Sequence, residues 1–182
     1  MIDRKHPKDR PVKKIALTAV ILITAALVAW SAWPTPALPP GAKADLVVVR
    51  KDARQLELYR EGVLLKSYHV SLGRHSKGPK QQQGDGRTPE GEYRLDYRKA
   101  DSNFHRALHI SYPDSADIAA ARTRSVDPGG SVMIHGMKNG LGWLGHLHLA
   151  VDWTDGCVAV TDREIDEIWN AVPDGTRIVL KP

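Results

Sequence analysis

The sequence has little cysteine and little phenylalanine, with one residue of each among 182. A single cysteine excludes an intramolecular disulfide, so Cys157 has to be considered as a free and reactive thiol. Internal repeats are also lacking, which excludes an architecture built from repeated units. The aromatic residues are mainly five Trp and five Tyr, whose polar groups suit sites that are partly apolar and partly wet.

A basic surface is lacking once the amino-terminal segment is set aside. The formal net charge is +5, but residues 1–33 contain six of the 26 Lys and Arg and only two of the 21 Asp and Glu. The remaining residues carry 20 basic and 19 acidic side chains. Because a nucleic-acid-binding domain needs a basic face, the sequence predicts no nucleic-acid partner.

Residues 15–33 contain no charged side chain. As a helix this segment would be about 28 Å long, close to the thickness of a bilayer core, so it predicts a transmembrane anchor. Basic residues lie only on its amino-terminal side, which predicts that residues 1–14 are cytoplasmic and that the body lies outside, in the cell envelope. Trp30 and Trp33 are predicted to lie at the outer membrane–water interface.

Two alternatives to an uncleaved anchor stay open. The segment could be a cleaved signal peptide, although no small-x-small cleavage site follows it directly. A buried core helix fits less well, because the segment has no polar face. Residues 34–44 are rich in proline and predict an extended linker to a folded domain over residues 45–182.

The body begins with a pattern that is typical of β-structure. Apolar residues recur at every second position, at Val47 and Val49 and again at Leu56 and Leu58, as in strands with one buried face. Glu61 and Gly62 then predict a turn, and residues 63–72 predict a further strand. The sequence therefore opens on a β-hairpin.

The rest of the body is predicted to be mainly β, with few helices. The polar, glycine-rich residues 73–91 are long for a loop, and such loops are often functional; a disordered surface loop is the alternative. A capping box, Thr161 with Glu164, predicts a helix that ends near Val172. Further predicted elements are strands at 93–97, 108–112, 132–134 and 177–180 and a short helix at 115–122.

The only cysteine follows a turn-like sequence, Thr154-Asp155-Gly156, and precedes the apolar residues 158–160. A turn that runs into a strand would leave the thiol at the edge of the turn. Gly156 lacks a side chain, so a substrate carbonyl can approach closely, and it can adopt a positive φ. Backbone N–H groups of the turn could then face a developing oxyanion.

A catalytic cysteine acts as its thiolate, and a neighbouring histidine is the usual base. His135 is the best candidate, because it ends a short apolar run and is followed by Gly136, which permits a sharp exit of the chain. Each residue alone has a simpler interpretation, since a lone cysteine is usually a small buried apolar residue and a lone histidine a satisfied polar group. The two contexts together favour a Cys157–His135 pair.

The same residues carry a resemblance to a known family. His-Gly at 135–136, followed after a loop by Thr-Asp-Gly-Cys at 154–157, resembles the signature of the L,D-transpeptidase catalytic domain, also called the YkuD domain. Upstream, Thr-Pro-Glu-Gly within residues 84–91 resembles the family's Thr-Pro-x-Gly segment. With the opening hairpin, the resemblance covers about residues 45–180 and three ordered motifs.

The resemblance implies a β-sandwich-like domain with one or two short helices that acts on murein stem peptides. Cys157 would attack the bond after the L-centre of meso-diaminopimelate and release D-alanine, with His135 as proton donor and acceptor. The acyl group would then pass to an amine or to water, without a cofactor. Further candidates for the oxyanion or substrate site are Thr154, Asp155, Gly156, Gly136, His146 and His148.

The sequence departs from the family at Ala159, where many members have an arginine that is expected near substrate carboxylates. Gly-Cys-Val-Ala-Val at residues 156–160 resembles instead the YafK-like and ErfK-like branch of the family. Some members of that branch look like amidases that release proteins from the wall. An amidase or hydrolase that cleaves at meso-diaminopimelate is therefore an alternative.

Two further alternatives belong to other classes. His146 and His148 on one strand would face the same way, and zinc could be held with His135, Asp152 or Cys157. The spacing matches no common zinc motif, so no metal is predicted. A wall-binding module without catalysis would need no activated thiol. Weaker candidates for substrate contacts are the basic residues Lys80, Arg87, Arg122 and Arg124.

Overall fold

The computed structural model describes residues 9–31 and 36–182. The chain divides into two compact units, Met1–Thr35 and Pro36–Pro182. In the first unit, helix α1 spans Asp9–Ser31. Among the residues described, no helix combines the length and the apolarity that crossing a bilayer requires.

The predicted anchor over residues 15–33 is therefore not confirmed. Residues 1–8 of the predicted cytoplasmic tail lie outside the described residues, and so do residues 32–35, which include Trp33. The side chain of Trp30, predicted to lie at the interface, is likewise outside the described part of the chain.

The second unit is mainly β, as predicted, and its described residues form eight strands, two α-helices and one 3-10 segment. The strands are β1 Leu46–Arg50, β2 Gln55–Arg60, β3 Val63–His69, β4 Gly91–Ser102, β5 His105–Ile110, β6 Met133–His135, β7 Val158–Ala159 and β8 Thr176–Lys181. The helices are α2 Ser115–Thr123 and α3 Asp162–Ala171, and the 3-10 segment spans Gly142–Ala150.

All eight strands belong to one sheet, in the order β3-β2-β1-β8-β4-β5-β6-β7. Its two edges meet, because Ser71, just after β3, exchanges two backbone hydrogen bonds with Ala159 on β7, of 3.0 and 2.8 Å. The two-layered sandwich that the family resemblance implied is thus a single sheet that curls until its edges touch. This closure brings the segment after β3 next to the strand that follows Cys157.

The opening hairpin forms as predicted. Val47, Val49, Leu56 and Leu58 are fully buried, and β1 pairs antiparallel with β2. The turn between β2 and β3 has positive φ at both central residues, 51° and 79°, as the type I′ turn of a tight hairpin requires. Strand β3 ends at His69, earlier than the sequence predicts, because the chain then leaves β2 for β7.

The two α-helices of the second unit, α2 and α3, both begin at capping boxes. The predicted box at α3 is confirmed, since the Thr161 hydroxyl accepts the amide of Glu164 while the Glu164 carboxylate accepts the amide of Thr161. Ile165 and Ile168 of α3 are fully buried and pack with the inner face of the sheet in one core. Residues 36–44 of the predicted linker hydrogen-bond α3, for example through Ala44 N to Ala171 O at 2.8 Å.

Residues 73–90 have little regular structure but are tightly fixed, so the disordered-loop alternative is wrong. The ammonium of Lys51 is buried and donates to Gly78 O, Thr88 O and the carboxylate of Glu90. The carboxylate of Asp85 accepts three backbone amides and the ammonium of Lys80. Because their polar groups are satisfied internally, these residues form a rigid support for the turn before Cys157.

Candidate active site

The sheet register brings Cys157 and His135 onto the same surface. Strands β6 and β7 run parallel, with Ile134 opposite Val158 and His135 opposite Ala159. Ile134 and Val158 are fully buried in the core. Since neighbouring side chains on a strand point to opposite faces, Cys157 and His135 project to the other face, where both line one cavity.

That cavity has a volume of about 700 Å³ and a mainly apolar wall. Phe104, Met133, Leu144 and Trp153 belong to it. A pocket of this size and character, with a few convergent polar groups, is typical of a small-molecule or peptide site. The thiol and the imidazole are the reactive groups within it.

His135 is held as a neutral base. Its Nδ1 lies 2.6 Å from the carbonyl oxygen of Gly136, and since a carbonyl can only accept, Nδ1 carries the proton and Nε2 has a free lone pair. Burial lowers the pKa of His135, and the Gly136 carbonyl opposes this only in part. The imidazole is therefore unprotonated at neutral pH and can accept a proton at Nε2.

Cys157 is a half-buried free thiol. Its Sγ lies 3.8 Å from the carbonyl oxygen of Ser131, to which it donates. Burial raises the pKa of the Cys157 thiol, and a hydrogen bond from the Met133 backbone opposes the shift. At rest the pair is thus thiol and neutral imidazole, and the thiolate has to form by proton transfer to the base.

The turn before Cys157 is organised by the buried Thr154. Its hydroxyl accepts the amide of Gly156 at 3.2 Å and donates to the carbonyl of Cys157 at 2.8 Å. The predicted contribution of Gly156 to an oxyanion site is thus not available as a free N–H in this resting arrangement. Glycine is instead required here by the conformation and packing of the turn, because φ is +127° and a Cβ would lie 2.5 Å from Arg87 O.

Replacing Thr154 by valine is expected to destabilise the fold by about 1–3 kcal/mol, because the amide of Gly156 would lose its partner within a buried turn. Thr154→Ser keeps the hydroxyl and is the matched control. Urea unfolding of both variants measures the difference. Equal stability of the two would contradict the role assigned to the hydroxyl.

Gly136 is required by close packing as well as by the sharp exit of the chain. A Cβ at this position would lie 2.7 Å from Asp162 Oδ1, and that oxygen accepts the amide of Met137 at 2.7 Å. The start of α3 therefore fixes the peptide whose carbonyl orients His135.

The two histidines predicted to share a strand do not. They lie in the 3-10 segment, which is kinked at Gly145 (φ 48°, ψ −133°), so the strand prediction is wrong and the two rings diverge. His146 Nε2 lies 3.4 Å from Glu164 Oε1 and does not line the catalytic cavity, whereas His148 does. Asp155 lines the cavity at an exposed position and pairs with Arg74.

The structure does not bring the candidate zinc ligands together. Asp152 is engaged by Arg54 at 2.9 Å and by the amide of Leu72 at 3.0 Å. Across the described residues, no three His, Cys, Asp or Glu side chains form a group that could hold a metal. The four basic candidates do not line the cavity either; Lys80, the most deeply buried of them, pairs with Asp85 at 3.0 Å.

Sequence reasoning missed the aromatic surroundings of His135. Phe104 lies against the imidazole with ring centroids 4.6 Å apart, and Trp153 meets it edge-on at 5.7 Å. Phe104 is the only phenylalanine in the chain, which is the one compositional signal that could have pointed to it. No local pattern places either ring beside residue 135.

Acid is expected to destabilise the fold through His148. Burial, with the neighbouring imidazoles of His146 and His135, lowers its pKa to about 4 from 6.5. Between these two values only the unfolded chain binds a proton, so the free energy of unfolding falls as the pH is lowered. His148 should account for a fall of about 3 kcal/mol in the free energy of unfolding between pH 7 and pH 4.

Urea unfolding at pH 7 and pH 4.5 measures this effect. His148→Asn cannot titrate, so it should lose about 2–3 kcal/mol less than the wild-type chain over this interval. The same loss in both proteins would show that His148 is protonated in the folded state.

The L,D-transpeptidase catalytic domain family, YkuD, matches residues 44–180 of this chain. The chain is 32% identical over 132 residues to YafK of Escherichia coli (strain K12), which is itself only provisionally assigned as an L,D-transpeptidase. The match covers 69% of this chain and 46% of that protein. The chain thus spans about half the length of the curated relatives it matches.

Solved structures share the fold at low identity. Bd1075 of Bdellovibrio bacteriovorus has a TM-score of 0.54 and 19% identity, covering 79% of this chain and 49% of that chain. The helical cell shape determining protein Pgp2 of Campylobacter jejuni has a TM-score of 0.56 and 19% identity, covering 86% and 54%. Because the family matches three quarters of the sequence, this chain belongs to the L,D-transpeptidase catalytic domain (YkuD) family.

Proposed function

We propose that this chain is a cysteine-dependent L,D-transpeptidase that acts on peptidoglycan stem peptides. The observation that carries the proposal is the convergence of Cys157 and a His135 with a free Nε2 on one cavity. Family membership supports it, because both residues lie at the positions of the family signature.

In the first half-reaction, Cys157 Sγ attacks the scissile carbonyl carbon while His135 Nε2 takes the thiol proton. The tetrahedral intermediate then breaks its C–N bond, and His135 returns that proton to the departing amine of D-alanine. The product is a thioester on Cys157. Backbone amides of the turn at 154–157 would stabilise the oxyanion if the Gly156 amide exchanges Thr154 for the substrate oxygen.

In the second half-reaction, an amine or water attacks the thioester and gives its proton to His135. The Cys157 sulfur leaves and recovers a proton from His135. The balance between amine and water separates a transpeptidase from the amidase alternative.

We propose further that the catalytic unit acts in the cell envelope, next to its substrate. The support is in the sequence: residues 15–33 are uncharged, six basic residues lie in the segment before them, and residues 34–42 contain none. This pattern predicts an anchor with the body outside. Fractionation of cells, with protease added from outside the cytoplasmic membrane, tests the location. A body protected from that protease would contradict it.

The activity is tested with the full-length chain, a purified tetrapeptide stem and intact-mass measurement. A mass increase on the wild-type chain with release of D-alanine, absent from Cys157→Ser, is the expected result. Fragments released without D-alanine would favour the amidase alternative. No adduct and no turnover, with a thiol that alkylates slowly, would favour the wall-binding module instead.

A further inference from the structure

His148 is a buried residue of the 3-10 segment that the mechanism above does not use. Only 5% of it is exposed, yet it belongs to the wall of the catalytic cavity. Its backbone is tied to the closing edge of the sheet, because the Ser71 hydroxyl donates to His148 O at 3.0 Å. The backbone of His148 is therefore fixed by the same residue that closes the sheet.

The tautomer of His148 follows from its neighbour. The indole N–H of Trp153 lies 3.3 Å from His148 Nδ1, and since an indole nitrogen can only donate, Nδ1 has to accept. The proton of the neutral ring is then on Nε2, which is buried without a partner among the described residues. The Ser71 hydroxyl also lies 3.3 Å from Nδ1, but it donates to His148 O, so the Trp153 indole is the donor that Nδ1 accepts.

Trp153 connects this hydrogen bond to the catalytic imidazole. Its ring meets His135 edge-on, with centroids 5.7 Å apart and planes at 66°. Phe104 packs against His135 at 4.6 Å and stacks with Trp153 at 6.2 Å. The two aromatic rings restrict the orientation of the imidazole. The Trp153 ring is only partly buried, so its own orientation depends on the hydrogen bond to His148.

We propose that His148 is a positioning residue for the catalytic base: by accepting the indole N–H of Trp153, it holds that ring against His135 and so fixes the orientation of the imidazole in the cavity that it shares with Cys157. The proposal rests on the proposed roles of Cys157 and His135. It accounts for a buried histidine whose Nε2 has no partner in the described part of the chain. The Trp153 indole requires an acceptor, and Nδ1 provides one only when the proton of the ring is on Nε2.

The Gly136 carbonyl alone does not secure this orientation. It fixes Nδ1 of His135 through one hydrogen bond, about which the ring can still tilt. Contact with Trp153 and Phe104 removes that freedom. A small displacement of a catalytic group is enough to lower the rate of reaction by about 10- to 100-fold.

The test compares His148→Leu, which removes the acceptor, with His148→Asn, whose side-chain oxygen can occupy the position of Nδ1. The full-length chain is used, and the rate of Cys157 alkylation by iodoacetamide is measured from pH 5 to 10. We expect His148→Leu to react about 10-fold or more slowly at pH 7, with its pH profile moved to higher pH. His148→Asn should stay within about threefold of the wild type over the same range.

Trp153→Phe provides a second route that does not depend on the folding of the leucine variant. It keeps a ring beside His135 but removes the donor, and it should reproduce the slow reaction. Because both substitutions break one interaction, the double variant His148→Leu/Trp153→Phe should be no slower than the slower single variant. Fully additive losses, or a His148→Leu profile like that of the wild type, would overturn the proposal.

His135→Asn separates this inference from the proposed function. If His135→Asn leaves the alkylation profile unchanged, the Cys157–His135 pair itself is wrong. If His135→Asn changes the profile while His148→Leu does not, only the positioning role of His148 is wrong. Equal impairment of His148→Leu and His148→Asn would also reject it, because a purely structural role does not distinguish the acceptor.

Discussion

The Cys157→Ser variant is expected to lose turnover of stem peptides by about a thousandfold or more while keeping its fold. A serine hydroxyl is far less acidic than a thiol, and the neutral His135 beside it cannot generate a comparable nucleophile at neutral pH. The substitution is nearly isosteric at a half-buried position, so the free energy of unfolding should change by less than about 1 kcal/mol. Steady-state release of D-alanine and urea unfolding measure the two quantities.

His135→Asn is the companion variant, because its amide N–H can still donate to the Gly136 carbonyl while the base is gone. The expected loss is about 10²- to 10⁴-fold in turnover. His69→Ala is the matched control, since His69 is an exposed residue of β3 and should retain full activity. Wild-type turnover in either Cys157→Ser or His135→Asn would reject the proposed pair.

The second large effect is expected for Gly156→Ala. This position combines φ +127° with a Cβ site only 2.5 Å from the carbonyl oxygen of Arg87. That oxygen belongs to the rigid support formed by residues 73–90, so backbone has to move and the turn before Cys157 moves with it. We expect a loss of about 2–4 kcal/mol in the free energy of unfolding and at least about 100-fold in turnover.

Gly175→Ala separates the clash from the backbone strain. Gly175 also has a positive φ, +82°, but nothing lies within 4 Å of its Cβ site. Gly175→Ala should lower the free energy of unfolding by only about 1 kcal/mol and should leave turnover unchanged. If the two alanine variants were equally stable and equally active, the close approach of Arg87 O to Gly156 would not affect stability or turnover.

The elements that local sequence specifies were predictable. The hairpin of β1 and β2, the turn at Glu61-Gly62 and the Thr161–Glu164 capping box each depend on residues within a few positions of one another, and each forms as predicted. Cys157 and His135 could be named for a similar reason, because their short motifs are contiguous. The 3-10 segment was mispredicted, since a run of small and apolar residues around Gly145 has no clear period.

The contacts that make the site depend on residues distant in sequence. Arg87 lies under Gly156, Phe104 and Trp153 enclose His135, and Ser71 joins the two edges of the sheet. None of these neighbours is implied by spacing or periodicity. They follow from the curl of the sheet, which is set by packing of the whole core.

The sequence by itself determined the family signature, the mainly β fold and the cap of α3, because short-range backbone chemistry and contiguous motifs encode them. It also indicated Cys157 and His135, the proposed nucleophile and base. Tertiary structure decided which nitrogen of His135 is free, why Gly156 tolerates no side chain, and that His148 contacts Trp153 while His146 faces Glu164. Those features arise where the turn before Cys157, the 3-10 segment and α3 pack against the curled sheet, and that packing is fixed by burial of a shared core rather than by any local pattern.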